Sequence, residues 1–313
     1  MIYTITFNPA IDLVMHTAAI ELGDLNRVAS QHFVVGGKGI NASVLLNHLG
    51  VANIATGFVG DFTGRAIEDQ LKNQGIQTEF IQVAQPTRMN VKLKSDVETE
   101  INGPGAHVSP EEFEQLIDYL EKVLMAEDTV LLMGNAAPGL SESAYQRIAK
   151  LCLSKQARFV LDSNRDLLTE CLAYQPFLIK PNHHELGEIF NVDISTEEDI
   201  IYYAQQLQQQ GAQNVIVSCG GDGAYLVTQQ GDVYQSNVPT GTVVNSVGAG
   251  DSMVAGFVAK YLETNDFKQA LQYGAATGSA TAFSVGIAQQ ALVDTLLKEI
   301  KINVIREGDK QCD

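Results

Sequence analysis

The chain has 313 residues, 45% of them hydrophobic and 18% charged, with a formal net charge of −17. That length buries one large core or two small ones, and so acidic a chain is poorly suited to nucleic acid as its main partner, although a local basic pocket can still hold a small anion. The opening MIYTITFNPAID has no basic region before an apolar stretch, no apolar run is long enough to span a bilayer, and Cys152, Cys171, Cys219 and Cys312 lack CxxC spacing; the expectation is a cytoplasmic protein with reduced thiols, no signal peptide and no membrane contact.

Residues 2–7 read as a first strand that stops at Asn8-Pro9, and 27–35, mixed polar and apolar, as a more exposed strand. The glycine-rich run 36–39 opens a helix in which Ile40, Val44, Leu45 and Leu49 recur at roughly helical spacing. A short strand at 54–59 leads to a turn at 60–64 and a helix to about Gly75. In 88–94, Met89, Val91 and Leu93 alternate with Arg88, Asn90, Lys92 and Lys94, so a strand there has one apolar and one basic face. Residues 97–102 are its hairpin partner. Ser109-Pro110-Glu111-Glu112 is a helix start, with serine as cap, proline at the first helical position and glutamate at the third. Strands at 129–134, 157–161, 177–180 and 214–219 then alternate with helices at 141–154, 164–172, 183–190 and 197–210. A polar hairpin fills 224–236, helices take 250–262, 266–284 and 289–299, and the tail from Arg306 reads as frayed. Strands separated by helices of this length imply one α/β domain, a parallel sheet with helices on both faces.

The strongest chemical signal is Asn245-Ser246-Val247-Gly248-Ala249-Gly250-Asp251-Ser252, small residues running into the apolar helix MVAGFVAKYL. Backbone N–H groups converge at such a helix start, and its partial positive charge favours an anion. Asp251 stands in that place; taken alone, it is equally well explained as a carboxylate bonded to first-turn amides. Gly37-Lys38 is followed by Gly39 instead of Ser or Thr, so it is no Walker phosphate loop. The GxGxxG pattern fails at 248–253 and at 221–226, where Met253 and Leu226 take the last place, which leaves an oxidoreductase little support. His183 and His184, adjacent on a helix, point about 100° apart and make no HExxH zinc pair.

Two motifs far apart in the chain resemble the signatures of the ribokinase-like (PfkB) carbohydrate kinases: Gly36-Gly37-Lys38-Gly39-Ile40-Asn41-Ala42-Ser43, with Gly50 and Gly60, and the segment 245–258. The likeness extends to Thr6–Asp12, Lys180–Glu185 and Ser218–Gly223, and so covers essentially the whole chain. It implies a doubly wound α/β sandwich with a mostly parallel sheet and a small β lid drawn from about 12–35 and 86–104. The active site is then expected between lid and sheet, at the C-terminal strand ends. It implies ATP as phosphoryl donor, Asp251 as the base that takes the acceptor's proton, and the amides of Gly248, Ala249 and Gly250 as the anion hole. Asn182 and Glu185 resemble the family's Asn-x-x-Glu element, which acts through Mg²⁺ and its waters. Lys180, Ser218, Gly220 and Gly223 fall in nucleotide-binding segments, and Asp12, Gly37 and Asn41 in sugar-binding ones. The stretches 87–93 and 98–103 resemble the branch whose acceptors already carry a phosphate. The implied reaction is fructose 1-phosphate to fructose 1,6-bisphosphate, with tagatose 6-phosphate as alternative acceptor and a non-catalytic sugar-phosphate sensor as a distant third. Such an acceptor needs a cation. Arg88 is the foremost candidate, since guanidinium pairs bidentately with phosphate; Lys38, Arg27 and Lys92 are the others. Pairing of two lids into a homodimer would cover exposed lid strands.

Overall fold

The computed structural model describes residues 1–308; Cys312 and positions 309–313 of the expected frayed tail lie outside the described residues. From the N-terminus run β1 (Ile2–Thr6), β2 (Ala10–His16), β3 (Ser30–Gly36), α1 (Lys38–His48), β4 (Asn53–Val59), α2 (Asp61–Asn73), β5 (Gln77–Gln82), β6 (Arg88–Lys94) and β7 (Thr99–Asn102). Then come α3 (Pro110–Val123), β8 (Thr129–Met133), α4 (Glu142–Lys155), β9 (Arg158–Asp162), α5 (Arg165–Cys171), β10 (Leu178–Ile179), α6 (His183–Phe190), α7 (Glu197–Gln209) and β11 (Asn214–Ser218). The chain closes with β12 (Ala224–Val227), β13 (Val233–Ser236), α8 (Ala249–Thr264), α9 (Phe267–Ala282), α10 (Gln290–Leu297) and β14 (Ile302–Arg306).

The main sheet has the order β14-β13-β12-β11-β10-β9-β8-β1-β4-β5. From β11 to β5 neighbours are parallel, and β12, β13 and β14 add an antiparallel edge. The inner strands β1, β4 and β8 are buried at every residue, as a parallel sheet covered on both faces requires. On one face pack α3, α4 and α7 through Phe113, Leu116, Tyr145, Ile148 and Ala204. On the other pack α1, α8 and α9 through Leu45, Leu46, Val254, Phe257 and Leu271. The parallel direction brings the C-terminal ends of β1, β9, β10 and β11 to one rim, where the signature segments lie.

Four strands form a separate small sheet, ordered β3-β2-β6-β7. Asp12 pairs with Asn90 and with Val34, and Asn90 with Asn102, so these share one face. On the opposite face Ile11 and Val35 pack against Ile40, Val59 and Ile67, while Phe33, Met89 and Ile101 farther out are exposed.

Several elements differ from the sequence reading. β2, whose Ile11, Leu13 and Met15 alternate with Asp12, Val14 and His16, resumes directly after the Asn8-Pro9 break that the reading took as an end. β5, β14 and the early start of α2 at Asp61, inside the expected turn, were also not anticipated. The 224–236 hairpin is no polar excursion, since β12 is wholly buried inside the sheet. The capping box at Ser109 forms as the sequence dictates, with Glu112 returning its side chain to the Ser109 N–H.

Candidate active site

α8 begins at Ala249, is capped by Gly248, whose φ of 81° is left-handed, and carries Asp251 as its third residue. A Cβ on Gly248 would stand 2.8 Å from the Ile287 side chain, so glycine answers both to backbone and to space. Asp251 is 6% exposed and accepts a hydrogen bond of 2.8 Å from the Asn41 amide, on the first turn of α1. α1 itself starts where Gly37, at φ 127°, turns the chain close over Thr6 and Pro9, at the end of β1. The two family signatures are thus in contact, 210 residues apart in sequence.

Asp251 opens onto a cavity of about 360 Å³ that also holds Asp12, Gly37, Lys38, Asn41, Arg88, Asn90, Asp162, Lys180 and Gly250. Asp162, the last residue of β9, is 2% exposed and receives a 2.9 Å hydrogen bond from Lys38 and a 3.5 Å ion pair from Lys180. Burial alone would raise its pKa, but Lys180 and Lys38 together pull it below the usual carboxylate range. Asp251 goes the other way. Burial first, and then the charge of Asp162, push it up to about 6, against Lys38, the Asn41 hydrogen bond and Lys180. Burial acts against the Lys38 proton, but Asp162, Asp251 and Glu185 outweigh it and hold that proton more tightly than in a free lysine. The result is a carboxylate with a proton affinity suited to general-base work near neutrality.

On the small sheet, Asn90 donates a 2.7 Å hydrogen bond to one oxygen of Asp12 and accepts one from the Gly103 N–H. Arg88 reaches the backbone carbonyls of Asn8 at 3.0 Å, Pro9 at 3.4 Å and Gly103 at 3.4 Å, which engages three of its five donors. Burial lowers its pKa, partly offset by Asp12.

A second cavity of about 290 Å³ lies on the other side of the α8 start. Ser218, Gly220 and Gly223 line one wall, small and apolar residues of α8 and α9, among them Met253, Ala275 and Gly278, the other. Gly223, at φ 90°, passes so close to the Ser236 carbonyl that a Cβ would stand at 1.9 Å. Gly250 borders both cavities.

Asn182 and Glu185 form the capping box of α6: Asn182 Oδ1 accepts from the Glu185 N–H at 2.8 Å, and Glu185 Oε2 from the Asn182 N–H at 2.7 Å. The structure therefore gathers Asp12, Gly37, Lys38, Asn41, Arg88, Lys180, Gly248, Gly250 and Asp251 around the first cavity, with Ser218, Gly220, Gly223 and Ala249 at the second. Lys180, expected with the nucleotide, lines the first cavity. Four expected residues line neither: Asn182 and Glu185 at the α6 capping box, and Arg27 and Lys92. Arg27 is exposed between β2 and β3, and the Lys92 ammonium is bound across the small sheet by Glu100 at 2.6 Å. Asp162 and Asn90 were missed as site residues. The signals were an acid at the end of a parallel strand and an amide on the polar face of 88–94.

A buried carboxylate at a helix start, where the dipole favours anions, with a second cavity adjoining, suits a small-molecule kinase. Residues 5–292 match the family described as pfkB family carbohydrate kinase. The chain is 44% identical over 302 residues to a 1-phosphofructokinase of Bacillus subtilis, covering 96% of this chain and 99% of that one. It is 34% identical to a D-tagatose-1-phosphate kinase of Bacillus licheniformis, again over 96% of this chain and 99% of the relative. A crystal structure of phosphofructokinase-2 from Escherichia coli in complex with substrates and products is 26% identical and superposes with a TM-score of 0.89 over 95% of this chain and 98% of that one. The chain belongs to the pfkB family of carbohydrate kinases. The tagatose ester in the Bacillus licheniformis name is the 1-phosphate, whereas the sequence reading has the 6-phosphate as its alternative acceptor.

Proposed function

We propose that the protein uses ATP to convert fructose 1-phosphate to fructose 1,6-bisphosphate, with Asp251 as general base. The observation that carries this is the meeting of two cavities at Gly250, with a carboxylate of raised proton affinity facing into one of them. The acceptor assignment rests on the full-length similarity to the Bacillus subtilis 1-phosphofructokinase.

In this reading the sugar lies in the first cavity and the nucleotide in the second. Asp251 takes the proton of the sugar's 6-hydroxyl as that oxygen bonds to the γ-phosphorus and the bond to the leaving ADP oxygen breaks. The amides of Gly248 and Gly250, joined by that of Ala249 if it leaves its 3.2 Å bond to the Ser246 carbonyl, meet the charge that develops on the transferred group; losing one such donor costs about 3 kcal/mol of barrier. Asn90 fixes one oxygen of Asp12 and turns the other to sugar hydroxyls. Arg88, with two donors left, holds the acceptor's own phosphate. Arg27 and Lys92 contribute only through a movement of the small sheet, which would then act as a lid that excludes water.

Magnesium is implied with the nucleotide. Among the described residues no group of three or more His, Cys, Asp or Glu side chains is placed to cage a metal. A magnesium ion that arrives with a nucleotide takes most of its ligands from phosphates and water. Asn182 and Glu185 suit such a role: each commits one oxygen to the capping box, and the second oxygen of Glu185 remains for a water of the ion. When bound, the ion would neutralise charge on the nucleotide phosphates.

A second reading, tagatose 1-phosphate as acceptor, is favoured by the Bacillus licheniformis relative. Fructose and tagatose 1-phosphates differ only in configuration at carbon 4, so one clamp serves both. No helix of the described residues is long and apolar enough to cross a membrane, and the buried thiols of Cys152, Cys171 and Cys219 suit a reducing cytoplasm. The exposed apolar outer face of the small sheet, with Phe33, Met89 and Ile101, suits pairing of two chains.

The test is ADP release with Mg-ATP and fructose 1-phosphate, tagatose 1-phosphate, tagatose 6-phosphate or fructose 6-phosphate. The expected result is the highest kcat/KM for fructose 1-phosphate. Preference for tagatose 1-phosphate transfers the assignment to the second reading, and silence with all four refutes the phosphosugar assignment.

A further inference from the structure

Beside the place where the two cavities meet stands a carboxylate with no part in the chemistry so far. Asp162 ends β9 and pairs with two ammonium groups, Lys38 Nζ at 2.9 Å and Lys180 Nζ at 3.5 Å, the first from a residue 124 positions away. We propose, resting on the kinase reading above, that Asp162 is a positioning residue for phosphoryl transfer: it clamps Lys38 and Lys180 side by side where the acceptor cavity meets the nucleotide cavity.

Two ammonium groups repel, and only a shared counter-ion makes their closeness favourable. The Lys38 side chain is 40% exposed, and the ion pair fixes its charged end. Lys180, at 7%, is a buried cation that needs an opposite charge. The clamp is unequal. Oδ1 of Asp162 takes the Lys38 hydrogen bond, while Oδ2 makes the longer ion pair and no hydrogen bond. Lys180 thus keeps its donors for another oxygen. Its Nζ lies so near Gly250 that a Cβ there would stand at 3.2 Å. The ammonium therefore borders both the amides of 248–250 and the Asp251 cavity, along the path of the transferred group. No bond is made or broken at Asp162.

Asp162 also acts on the base. Asp251 is faced by Asp162 from β9, by Lys38 and Asn41 from α1 and by Lys180 after β10, with Asp12 and Arg88 across the cavity and Glu185 of α6 near Lys38. Asp162 favours the protonated form of Asp251, and Lys38 and Lys180 favour the ionised form. Asp162→Asn therefore makes Asp251 ionise at lower pH, and Lys38→Met makes it ionise at higher pH.

The experiment measures kcat and KM with ATP and fructose 1-phosphate from about pH 5 to 9 for the wild type, Asp162→Asn, Lys38→Met and the double variant. Asp162→Asn is expected to lower kcat about a hundredfold and to move the acid limb of kcat to lower pH, while Lys38→Met lowers kcat and moves that limb to higher pH. In the Lys38→Met background the further loss from Asp162→Asn shrinks below about tenfold, because the more tightly bound of the two lysines it works through is gone. An unmoved limb, a limb moved the other way, or losses that simply multiply would overturn the proposal and leave Asp162 a packing residue. If Asp162→Asn fails to fold in a melting experiment, Lys38→Met decides alone: an unaltered kcat or an unmoved limb refutes the clamp. Wild-type enzyme silent toward the acceptor refutes the kinase reading; active wild type with an unaffected Asp162→Asn refutes only the clamp.

Discussion

Replacing Asp251 with Asn changes one buried charge and almost no volume, and its consequences for catalysis and for stability have opposite signs. The Asn41 amide still finds an oxygen acceptor at the position it now reaches at 2.8 Å, so the local geometry survives. Loss of a general base costs a factor of about 10² to 10⁴, or roughly 3–5 kcal/mol of barrier, and kcat should fall by that much while ATP binding, read by calorimetry, stays nearly intact. Folding should gain. The Asp251 carboxyl is pushed up from 3.8 to about 6 in the folded protein. A group whose folded pKa lies above its unfolded value contributes stability below the unfolded pKa and loses it as pH rises through the folded one. At pH 7 the ionised wild-type residue therefore destabilises the fold by an amount on the order of 3 kcal/mol, at about 1.4 kcal/mol per unit. The Asn variant escapes that cost, so it should melt a few degrees higher than wild type at pH 7, the gap closing toward pH 4 as wild-type Asp251 is protonated. For the same reason wild-type kcat/KM should decline as pH falls through about 6. Turnover within tenfold of wild type would remove Asp251 as the base. A variant less stable at pH 7 than wild type would refute the reasoning about its burial.

Arg88→Ala should raise the acceptor KM roughly tenfold to a hundredfold, the range set by one or two charged hydrogen bonds, with the ATP KM within about threefold. Equal effects on both substrates would reassign Arg88 to holding the small sheet, a role its three carbonyl contacts already give it in part. Static light scattering should return twice the 33.9 kDa chain mass at micromolar concentration, and Phe33→Asp, on the exposed outer face of the small sheet, should reduce it to the single-chain value. A wild-type monomer would refute pairing through this sheet.

What the sequence showed was what local chemistry encodes. Ser109-Pro110-Glu111-Glu112 stops a chain and starts a helix wherever it occurs, and it does so here. Alternation in 88–94 revealed the two faces of β6 before any partner strand was known. The same alternation ran through Ile11, Leu13 and Met15, but Asn8-Pro9 was read as an end and β2 was lost; the chain in fact crosses there from one sheet to the other. Asp162 was invisible for a different reason. An acid at a strand end has no meaning until Lys38 and Lys180 converge on it, and that convergence belongs to the order β10-β9-β8-β1 and not to any segment. The place of Lys180 depends on the same convergence: its motif neighbours Asn182 and Glu185 cap α6, while its own side chain lines the first cavity beside Gly250, which borders both cavities.

The charge of the whole molecule and the charge of the site make separate arguments. A net charge of −17 repels a sugar phosphate and a nucleotide at long range. Within the cavity that Asp251 faces, however, Lys38, Arg88 and Lys180 stand against Asp12, Asp162 and Asp251, so the formal charges balance. The attraction for a phosphate must then come from how the charges are arranged. Asp162 is almost wholly buried and is spent on two lysines, Asp251 would take on a proton in the proposed reaction, and the start of α8 adds fixed dipoles that carry no counter-charge. A proton moving from the sugar hydroxyl to Asp251 would thus leave the cavity more positive on the protein side at the moment the transferred group needs it. Preorganised short-range electrostatics of that kind require a cation held firmly at its station, so in the proposed mechanism the carboxylate that holds the lysines matters as much as the one that would take the proton.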